Sequence, residues 1–241
     1  MKDFRINVFD ELVSTNSHAL SKAGKELFDG DVIVAKAQRA GRGRMNRNWV
    51  SPQGNLYFSL ILQPKISLDK LPQISFVAAV ALRLVLQKLC ILFNEATEAK
   101  VENKWPNDVL INQKKVAGIL LESELQTGFV VLGIGVNLVS NPENVLFKAG
   151  NLKEFFVDIS PQELLENFLK EFDLIYQNYL DFGFKKTRNL WLERAFSLNK
   201  KIKINLEDEV LEGVFIGVDE LGNLLLQEGE KIRKILTCDI L

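Results

Sequence analysis

The sequence is poor in the residues that build metal centres and catalytic triads. Its 241 residues include one histidine, His18, and two cysteines, Cys90 and Cys238. The cysteines lie far apart within apolar runs, which favours two buried thiols over a disulfide or a metal pair. A single histidine argues against a zinc site of His and Cys ligands, a two-histidine iron site and a Ser-His-Asp triad.

An excess of charge is also lacking. The 30 Lys and Arg residues nearly balance 31 Asp and Glu residues, and the pI is about 6.0. This balance argues against a protein that binds nucleic acid through its overall field. The N-terminus has no signal-peptide pattern, and we expect no apolar run of the ~18 residues that a membrane span needs. A cytoplasmic protein with no membrane segment is predicted.

One stretch of the chain lacks acidic residues altogether, from the position after Asp31 to the position before Asp69. The basic residues in this stretch are Lys36, Arg39, Arg42, Arg44, Arg47 and Lys65. Four of the nine arginines of the chain fall here, close together and interleaved with Gly41 and Gly43. Glycine lets backbone N–H groups approach an anion, and arginine offers paired donors to carboxylate and phosphate. The segment predicts a loop that binds a small polyanion; the alternative is an exposed Arg-Gly segment that binds RNA.

Hydrophobic periodicity predicts an α+β protein. Strands are predicted at Phe4–Phe9, Asp31–Ala35, Asn55–Leu62, Ala99–Lys104, Val109–Ile111, Val116–Leu125 and Phe129–Val136. Helices are predicted from Ser14 to about Leu27, over Leu71–Leu89, from Ser160 to about Phe182, and over Thr187–Phe196. After Lys200 the pattern changes to four or five short strands, which indicates a small β-barrel or meander. A domain boundary is therefore expected between residues 196 and 197.

Three further short segments contain side chains or glycines that could bind a ligand, but each is a weak signal by itself. Lys104-Trp105-Pro106-Asn107-Asp108 joins a lysine, an aromatic ring and polar side chains, although Pro-Asn-Asp is also ordinary turn chemistry. Lys115-Val116-Ala117-Gly118-Ile119-Leu120 places a lysine at the start of an apolar strand, whereas the neighbouring Lys114 is interpreted as a solvated hairpin charge. Gly133-Ile134-Gly135-Val136-Asn137 puts glycines inside a buried strand, where a ligand can come close.

In this order, the segments resemble the signature series of the biotin protein ligases. The series comprises Ser14-Thr15-Asn16, Gly41-Arg42-Gly43-Arg44 with Trp49, and the segments that begin at Lys104, Lys115 and Gly133. The resemblance implies a mixed β-sheet with flanking helices as a biotin/lipoate ligase-like catalytic domain (residues 1–196). It further implies a small SH3-like C-terminal β-barrel (residues 197–241).

The resemblance also implies an activity, that of a biotin–[acetyl-CoA-carboxylase] ligase. Such an enzyme forms biotinyl-5′-AMP from biotin and ATP with Mg²⁺, and transfers biotin to a lysine of a biotin carboxyl carrier protein. Preorganised cations can stabilise this chemistry without a catalytic histidine. A homodimer is compatible with the resemblance.

The resemblance assigns roles residue by residue. Lys115 and Arg44 are the expected catalytic residues. The expected biotin-binding residues are Ser14, Thr15, Asn16, Gln38, Gly41, Arg42, Gly43, Arg44, Lys115 and Gly118. The expected ATP- and adenylate-binding residues are Arg44, Arg47, Trp49, Lys104, Asn107 and Asn137, and Asp108 is the expected contact to Mg²⁺. The strands around Ile119 and Ile134 are expected to supply an apolar wall.

The chain departs from the family pattern in two respects. Asn46 replaces a loop glycine, and we expect it to tolerate the left-handed backbone of the turn. Met45 stands where some members carry a further arginine, and Arg39 is a candidate to compensate. Family members that repress transcription have a DNA-binding domain of some 60 residues before the Ser-Thr-Asn segment, which here begins at residue 14. We therefore expect no specific DNA binding; a gel shift on its own operon at moderate salt would test this.

Two other functions compete with this interpretation. A lipoate ligase or octanoyltransferase has a related fold, but lacks the Gly-Arg-Gly-Arg and Lys-Trp-Pro-Asn-Asp segments in this form. A basic-loop module that binds nucleic acid is a more distant alternative, which predicts affinity that falls steeply with salt.

Overall fold

The computed structural model describes residues 3–93, 99–124, 127–143, 147–206, 209–236 and 239–240. A seven-stranded sheet in the order β1-β2-β3-β7-β6-β5-β4 forms its centre. The strands are β1 (Arg5–Leu12), β2 (Asp31–Gln38), β3 (Leu56–Leu62), β4 (Val101–Lys104), β5 (Asp108–Ile111), β6 (Lys114–Glu124) and β7 (Phe129–Val136). All seven predicted strands are present. Leu125, the predicted end of the sixth strand, and Cys238, a predicted buried thiol, lie outside the described residues.

The sheet is mixed, as predicted. β1 and β2 are parallel and are joined through helix α1 (Thr15–Lys22), whereas every other neighbouring pair is antiparallel. Helix α1 ends at Lys22, five residues before the predicted end at Leu27. Ala23 leaves the helix with a ψ of 130°, and Gly24 follows with a φ of 75°, a conformation that glycine adopts at no steric cost.

Helix α2 (Gln73–Phe93) belongs to a segment that is long and apolar enough to span a membrane, contrary to the prediction. The segment Leu68–Phe93 is long and apolar enough by length and composition, and its most apolar 18-residue window has a mean hydropathy of 2.1. However, 67% of its most apolar window is buried inside the protein, where the helix packs on the sheet and on a neighbouring helix. Cys90 lies on α2 as a buried free thiol, as predicted, and its burial raises the pKa to about 11.

Two further helices follow the sheet. Helix α3 (Pro161–Phe182) begins at a capping box, in which the Ser160 hydroxyl accepts from the Glu163 backbone N–H and Glu163 accepts from the Ser160 backbone. The predicted second helix over Thr187–Phe196 is instead α4 (Phe184–Leu192). Gly183, at φ 78°, lets the chain turn immediately after α3, so α4 begins and ends earlier than predicted.

The last segment forms a five-stranded antiparallel sheet in the order β11-β10-β9-β8-β12. Its strands are β8 (Lys201–Asn205), β9 (Val210–Val218), β10 (Leu224–Glu228), β11 (Lys231–Ile235) and β12 (Asp239–Ile240). Phe215 of β9 and Trp191 of α4 belong to one apolar cluster and lie 6.5 Å apart between ring centroids. The small sheet therefore shares a continuous core with the helices.

Candidate active site

A cleft of about 480 Å³ lies on the sheet face formed by β6 and β7. Every predicted site residue except Gly41 lines it. Lining residues that no prediction named include Pro142, Phe147, Ala149 and Asn205. His18 is not among the described residues of the lining; its ring packs on Phe9 with centroids 4.9 Å apart. The structure thus brings the predicted residues together, while their individual roles stay predictions.

The start of α1 and the end of β2 build one end of the cleft. The Ser14 hydroxyl caps α1 by accepting from the Ser17 backbone N–H at 3.4 Å. The Gln38 Oε1 atom accepts from the Thr15 backbone N–H at 2.8 Å and from its hydroxyl at 3.2 Å. The Gln38 amide nitrogen donates to Ser51 at 2.9 Å. Gln38 is therefore held from both sides, in an orientation fixed by α1 and by Ser51.

Asn16 is a buried side chain at the same end. Its Nδ2 donates to the Leu120 carbonyl at 3.3 Å and to the Glu122 carboxylate at 2.9 Å. Its Oδ1 accepts from the Ser59 hydroxyl at 2.5 Å. A Cβ atom on Gly133 would collide with the Asn16 amide, so glycine is required there for steric reasons. Ser59 and Glu122 were not predicted as site residues.

The Gly-Arg segment is a compact loop closed by its own backbone. The Trp49 N–H donates to the Gly41 carbonyl at 2.9 Å, and the Gly43 N–H donates to the Arg47 carbonyl at 2.6 Å. The left-handed residue of the turn is Met45 (φ 52°), one position before the predicted Asn46. Met45 therefore supplies a positive φ in this turn.

The arginines of this loop point to opposite ends of the cleft. Arg42 Nη2 lies 2.6 and 2.9 Å from the two carboxylate oxygens of Glu122 at the Asn16 end. Arg44 Nη1 lies 3.5 Å from the Asn107 Oδ1 atom at the other end. Arg39 pairs instead with Glu11 at 2.9 Å and is not among the described lining residues, so it does not compensate for Met45.

The indole of Trp49 lies directly on two glycines of the sheet. A Cβ on Gly118 would lie 2.9 Å from the indole Cζ3, and one on Gly135 would lie 2.5 Å from Nε1. Both glycines are therefore required by the close packing of the ring. The Trp49 Nε1 is buried and has no hydrogen-bond partner within the described parts of the chain.

The other end of the cleft is rich in cations and amides. Lys115 Nζ lies 2.7 Å from Asp108 Oδ1 and 5.3 Å from the centroid of the Trp49 ring. The Asn107 amide nitrogen donates to the Ile119 carbonyl, and the Asn137 amide donates to the Gly150 carbonyl at 3.0 Å. These bonds fix the amides beside Lys115, where charged groups of a ligand can be bound.

Lys104 is a buried lysine at this end. Only 6% of the residue is exposed, and its ammonium lies 3.5 Å from the centroid of the Phe147 ring. A cation over an aromatic face is attracted by the ring quadrupole, which offsets part of the cost of burying the charge. Phe147 was not predicted because it lies outside every recognised segment.

The C-terminal sheet supports the cleft from behind. The Trp105 Nε1 donates to the Gly222 carbonyl at 2.9 Å, and the Gln73 amide nitrogen donates to the Glu220 carbonyl at 2.8 Å. Trp105 is part of the segment that carries Lys104 and Asn107. The loop between β9 and β10 therefore helps to position the cation-rich end.

Gly222 offers a test of this support. It has a φ of 89°, and an added Cβ would lie 2.7 Å from Phe76 Cε2. We expect Gly222→Ala to lower the free energy of unfolding by about 1–3 kcal/mol more than Gly229→Ala, because of overpacking. Gly229 is a matched control, since it also has positive φ (61°) but no described atom within 4 Å of an added Cβ. Urea unfolding measures both; equal losses would contradict the account.

The cleft therefore has an amide-lined end and a cation-rich end, and glycine and aromatic residues line the part between them. The sequence model of the Biotin/lipoate A/B protein ligase family matches residues 10–137. The model of the Biotin protein ligase C terminal domain matches residues 197–241. The chain therefore belongs to the biotin/lipoate A/B protein ligase family. The second match identifies its biotin protein ligase branch, as the resemblance implied.

Relatives and solved structures agree with this membership. The chain is 38% identical to the biotin–[acetyl-CoA-carboxylase] ligase of Paracoccus denitrificans, over 89% of this chain and 90% of that protein. It is 35% identical to the bifunctional ligase/repressor BirA of Bacillus subtilis, over 96% of this chain and 72% of that protein. The biotin protein ligase of Aquifex aeolicus in complex with biotin and ATP superimposes with a TM-score of 0.83 at 29% identity, over 98% and 97% of the two chains. These relatives do not favour the lipoate ligase alternative.

Proposed function

We propose that this cleft carries out both steps of protein biotinylation. In the first step, a biotin carboxylate oxygen attacks the α-phosphorus of ATP, the bond to the β-phosphate oxygen breaks, and pyrophosphate leaves. In the second step, the neutral amine of a carrier lysine attacks the acyl carbon of biotinyl-5′-AMP. An amide forms, AMP leaves and the amine loses a proton. The acceptor is a biotin carboxyl carrier protein.

The observation that carries this proposal is the order of chemical groups along the cleft. Amide and hydroxyl groups of Thr15, Asn16 and Gln38 lie at one end, which suits the ureido ring of biotin. Lys115, Asn107 and Arg44 lie at the other, which suits a carboxylate beside a nucleotide phosphate. The intervening glycines and apolar residues suit the thiophene ring and the aliphatic tail.

Lys115 has the central role in the first step. Its ammonium stabilises the negative charge that builds up when the carboxylate meets the α-phosphate. Asp108 holds this ammonium in place at 2.7 Å before the substrates bind. Arg44 closes over the adenylate from the loop, and Asn107 orients its guanidinium. A preorganised cation in a dry site costs no reorganisation during the reaction.

The remaining polar residues hold the ligands. Ser14 and the backbone of Gly43 complete the biotin end, together with Arg42 and Gly118. Gly41 acts on the shape of the loop, because its carbonyl accepts from the Trp49 N–H. Arg47, Trp49, Lys104 and Asn137 bind ATP and the adenylate. The Arg47 Nε donates to the Arg44 carbonyl at 3.3 Å, so it follows the same loop.

The described part of the cleft offers Mg²⁺ few protein ligands. The described residues contain no cluster of three or more His, Cys, Asp or Glu side chains that could hold a metal ion. Asp108 is the single carboxylate among the described lining residues. Mg²⁺ commonly takes one or two protein carboxylates together with substrate phosphates, so Asp108 fits a cation that arrives with ATP. When bound, the cation would neutralise charge on the phosphates.

The wider assignments are part of the same proposal. Residues 1–196 carry the catalytic groups, and residues 197–241 form a second domain that supports the cleft. The protein acts in the cytoplasm, where ATP and carrier proteins are available. A homodimer is compatible with the family and is tested by sedimentation at two protein concentrations.

Pyrophosphate release tests the proposed substrate. With ATP and Mg²⁺, we expect release with biotin to exceed release with lipoate by at least 10²-fold, because the amides at the Asn16 end require a hydrogen-bonding ring. A coupled pyrophosphatase assay measures both acids under the same conditions. Release with lipoate but not with biotin would contradict the proposal and favour the lipoate ligase alternative.

A further inference from the structure

The carboxylate of Glu122 joins three segments at the amide-lined end of the cleft. It lies on β6, and its Oε2 atom accepts from the Asn16 amide of α1 at 2.9 Å. The same carboxylate accepts from Arg42 Nη2 at 2.6 and 2.9 Å. α1, the Gly-Arg loop and the central sheet therefore meet at one side chain.

We propose that Glu122 is a positioning residue that prepares the biotin end before the substrate enters. It orients the Asn16 amide and holds Arg42 at the start of the loop. This inference rests on the proposed function, since it concerns the same cleft and substrate. It assigns to Glu122 an effect on biotin binding and on loop closure, with no contact to the reacting atoms.

The orientation of Asn16 depends on Glu122. The Asn16 Nδ2 has two hydrogens, and its two acceptors are the Leu120 carbonyl and the Glu122 carboxylate. A flipped amide would direct its oxygen at both of these acceptors, which is unfavourable. The Oδ1 atom, which also accepts from Ser59, is therefore fixed as an acceptor at the edge of the cleft.

The position of Arg42 also depends on this carboxylate. The Arg42 side chain is 39% exposed and that of Glu122 is 25% exposed, so the pair is only partly removed from water. Its value lies in position, because the carboxylate holds Arg42 and Asn16 at the same time and both contacts depend on its charge. Without the charge of Glu122, Arg42 would stay in the same short loop as Arg44 and Arg47 without its carboxylate partner, and we expect the loop to open.

Glu122 is remote from the reacting atoms. It lies seven positions after Lys115 on the same strand, which corresponds to roughly 23 Å along an extended chain. Lys115 marks the end where the carboxylate and the phosphate meet. A change at Glu122 is therefore expected to weaken the binding of biotin. The residues around Lys115, which act in the chemical step, are expected to be unaffected.

Kinetics of Glu122→Gln test this separation. We expect KM for biotin to rise about tenfold or more, while KM for ATP and kcat at saturating biotin change less than twofold, because a charge-assisted network is lost at the biotin end only.

The matched control is Glu124→Gln, two positions along the same strand and on the same face. Its carboxylate does not take part in the described contacts to Asn16 and Arg42, which Glu122 makes, and we expect its kinetic constants to match the wild type. A general loss of folding would instead lower the apparent kcat, because it reduces the fraction of active enzyme, and would leave KM for biotin unchanged.

Limited trypsin digestion supplies a readout that is independent of turnover. In the absence of ligands, we expect cleavage after the arginines of the loop to be several-fold faster in Glu122→Gln than in wild type and Glu124→Gln. The variant Arg42→Gln is expected to reproduce this acceleration. In Glu122→Gln/Arg42→Gln, KM for biotin is expected to rise less than the product of the single effects, because the two residues are coupled.

Three outcomes would overturn the inference. They are an unchanged KM for biotin in Glu122→Gln, equal changes in the two KM values and kcat, and strictly multiplicative effects in the double variant. Calorimetric binding of biotin to the wild-type protein separates this failure from that of the proposed function. If the wild type does not bind biotin, the proposed function is wrong and the inference falls with it. If the wild type binds biotin and Glu122→Gln binds it equally, only the inference is wrong.

Discussion

Replacement of Lys115 by alanine is expected to slow the formation of biotinyl-5′-AMP by about 10²–10³-fold, the loss typical of one preorganised charge-stabilising donor. The Lys115 ammonium is the cation nearest to the carboxylate of Asp108, at 2.7 Å, and it lies beside the Trp49 ring. The variant leaves Asp108 without its cation, so an uncompensated negative charge would remain where two anionic substrates meet. Pyrophosphate release in a single turnover measures this effect.

Lys114→Ala is the matched control for Lys115→Ala. Lys114 is the adjacent residue of β6, but its ammonium pairs with Glu154 at 2.6 Å and it is not among the described lining residues. We expect less than a twofold change in adenylate formation, since an exposed pair contributes little. Equal losses in the two variants would show that the strand as a whole matters, and not the Lys115 charge.

Replacement of Arg44 by alanine is expected to reduce adenylate formation by about 10²-fold or more. Arg44 is the loop arginine that reaches the cation-rich end, where its Nη1 lies 3.5 Å from the Asn107 Oδ1. Its loss removes a paired donor to phosphate from the cation-rich end of the cleft. Stopped-flow measurement of adenylate formation, with biotin and ATP both saturating, distinguishes this effect from weaker binding.

Arg39→Ala is the control within the same basic stretch. Arg39 pairs with Glu11 on β1 at 2.9 Å, and 69% of its side chain is exposed. We expect its adenylation rate to stay within twofold of the wild type. A loss in Arg39→Ala as large as that in Arg44→Ala would indicate that overall positive charge, and not the position of Arg44, drives the first step.

The residues that sequence reasoning identified belong to compact segments with local signals. Gly118 and Gly135 are examples, because glycine within an apolar strand indicates close approach by another group. The structure places the Trp49 ring on both of them. Strand positions were predicted well for a similar reason, since periodicity within four to eight residues is a local property.

Residues joined over long separations in the chain could not be predicted in this way. Glu122 and Arg42 are 80 positions apart, and Asn16 and Glu122 are 106 apart, so no local pattern relates them. The one available signal was a glutamate directly after the apolar stretch that ends at Leu121, because a partly buried charge requires a partner. Phe147 had no signal of this kind, although it lies over the Lys104 ammonium.

The backbone conformation at the ends of helices and in turns was also not predicted correctly from the sequence. The predicted helix to Leu27 ignored Gly24, whose positive φ follows the end of α1. The C-terminal end of α2 was predicted too early. The helix carries apolar residues on several of its own sides, so the 3.6-residue period of its hydrophobic pattern is weak. In the Gly-Arg loop, Met45 has a positive φ, a conformation that methionine rarely adopts.

The most direct test of the central claim is to identify the product that the purified protein forms from biotin and ATP. After incubation with Mg²⁺ in the absence of a carrier, we predict that mass spectrometry detects biotinyl-5′-AMP bound to the protein. Addition of a biotin carboxyl carrier domain should then convert it to AMP and a biotinylated lysine. Absence of this adenylate at saturating biotin and ATP would contradict the account, as would an adenylate formed from lipoate alone.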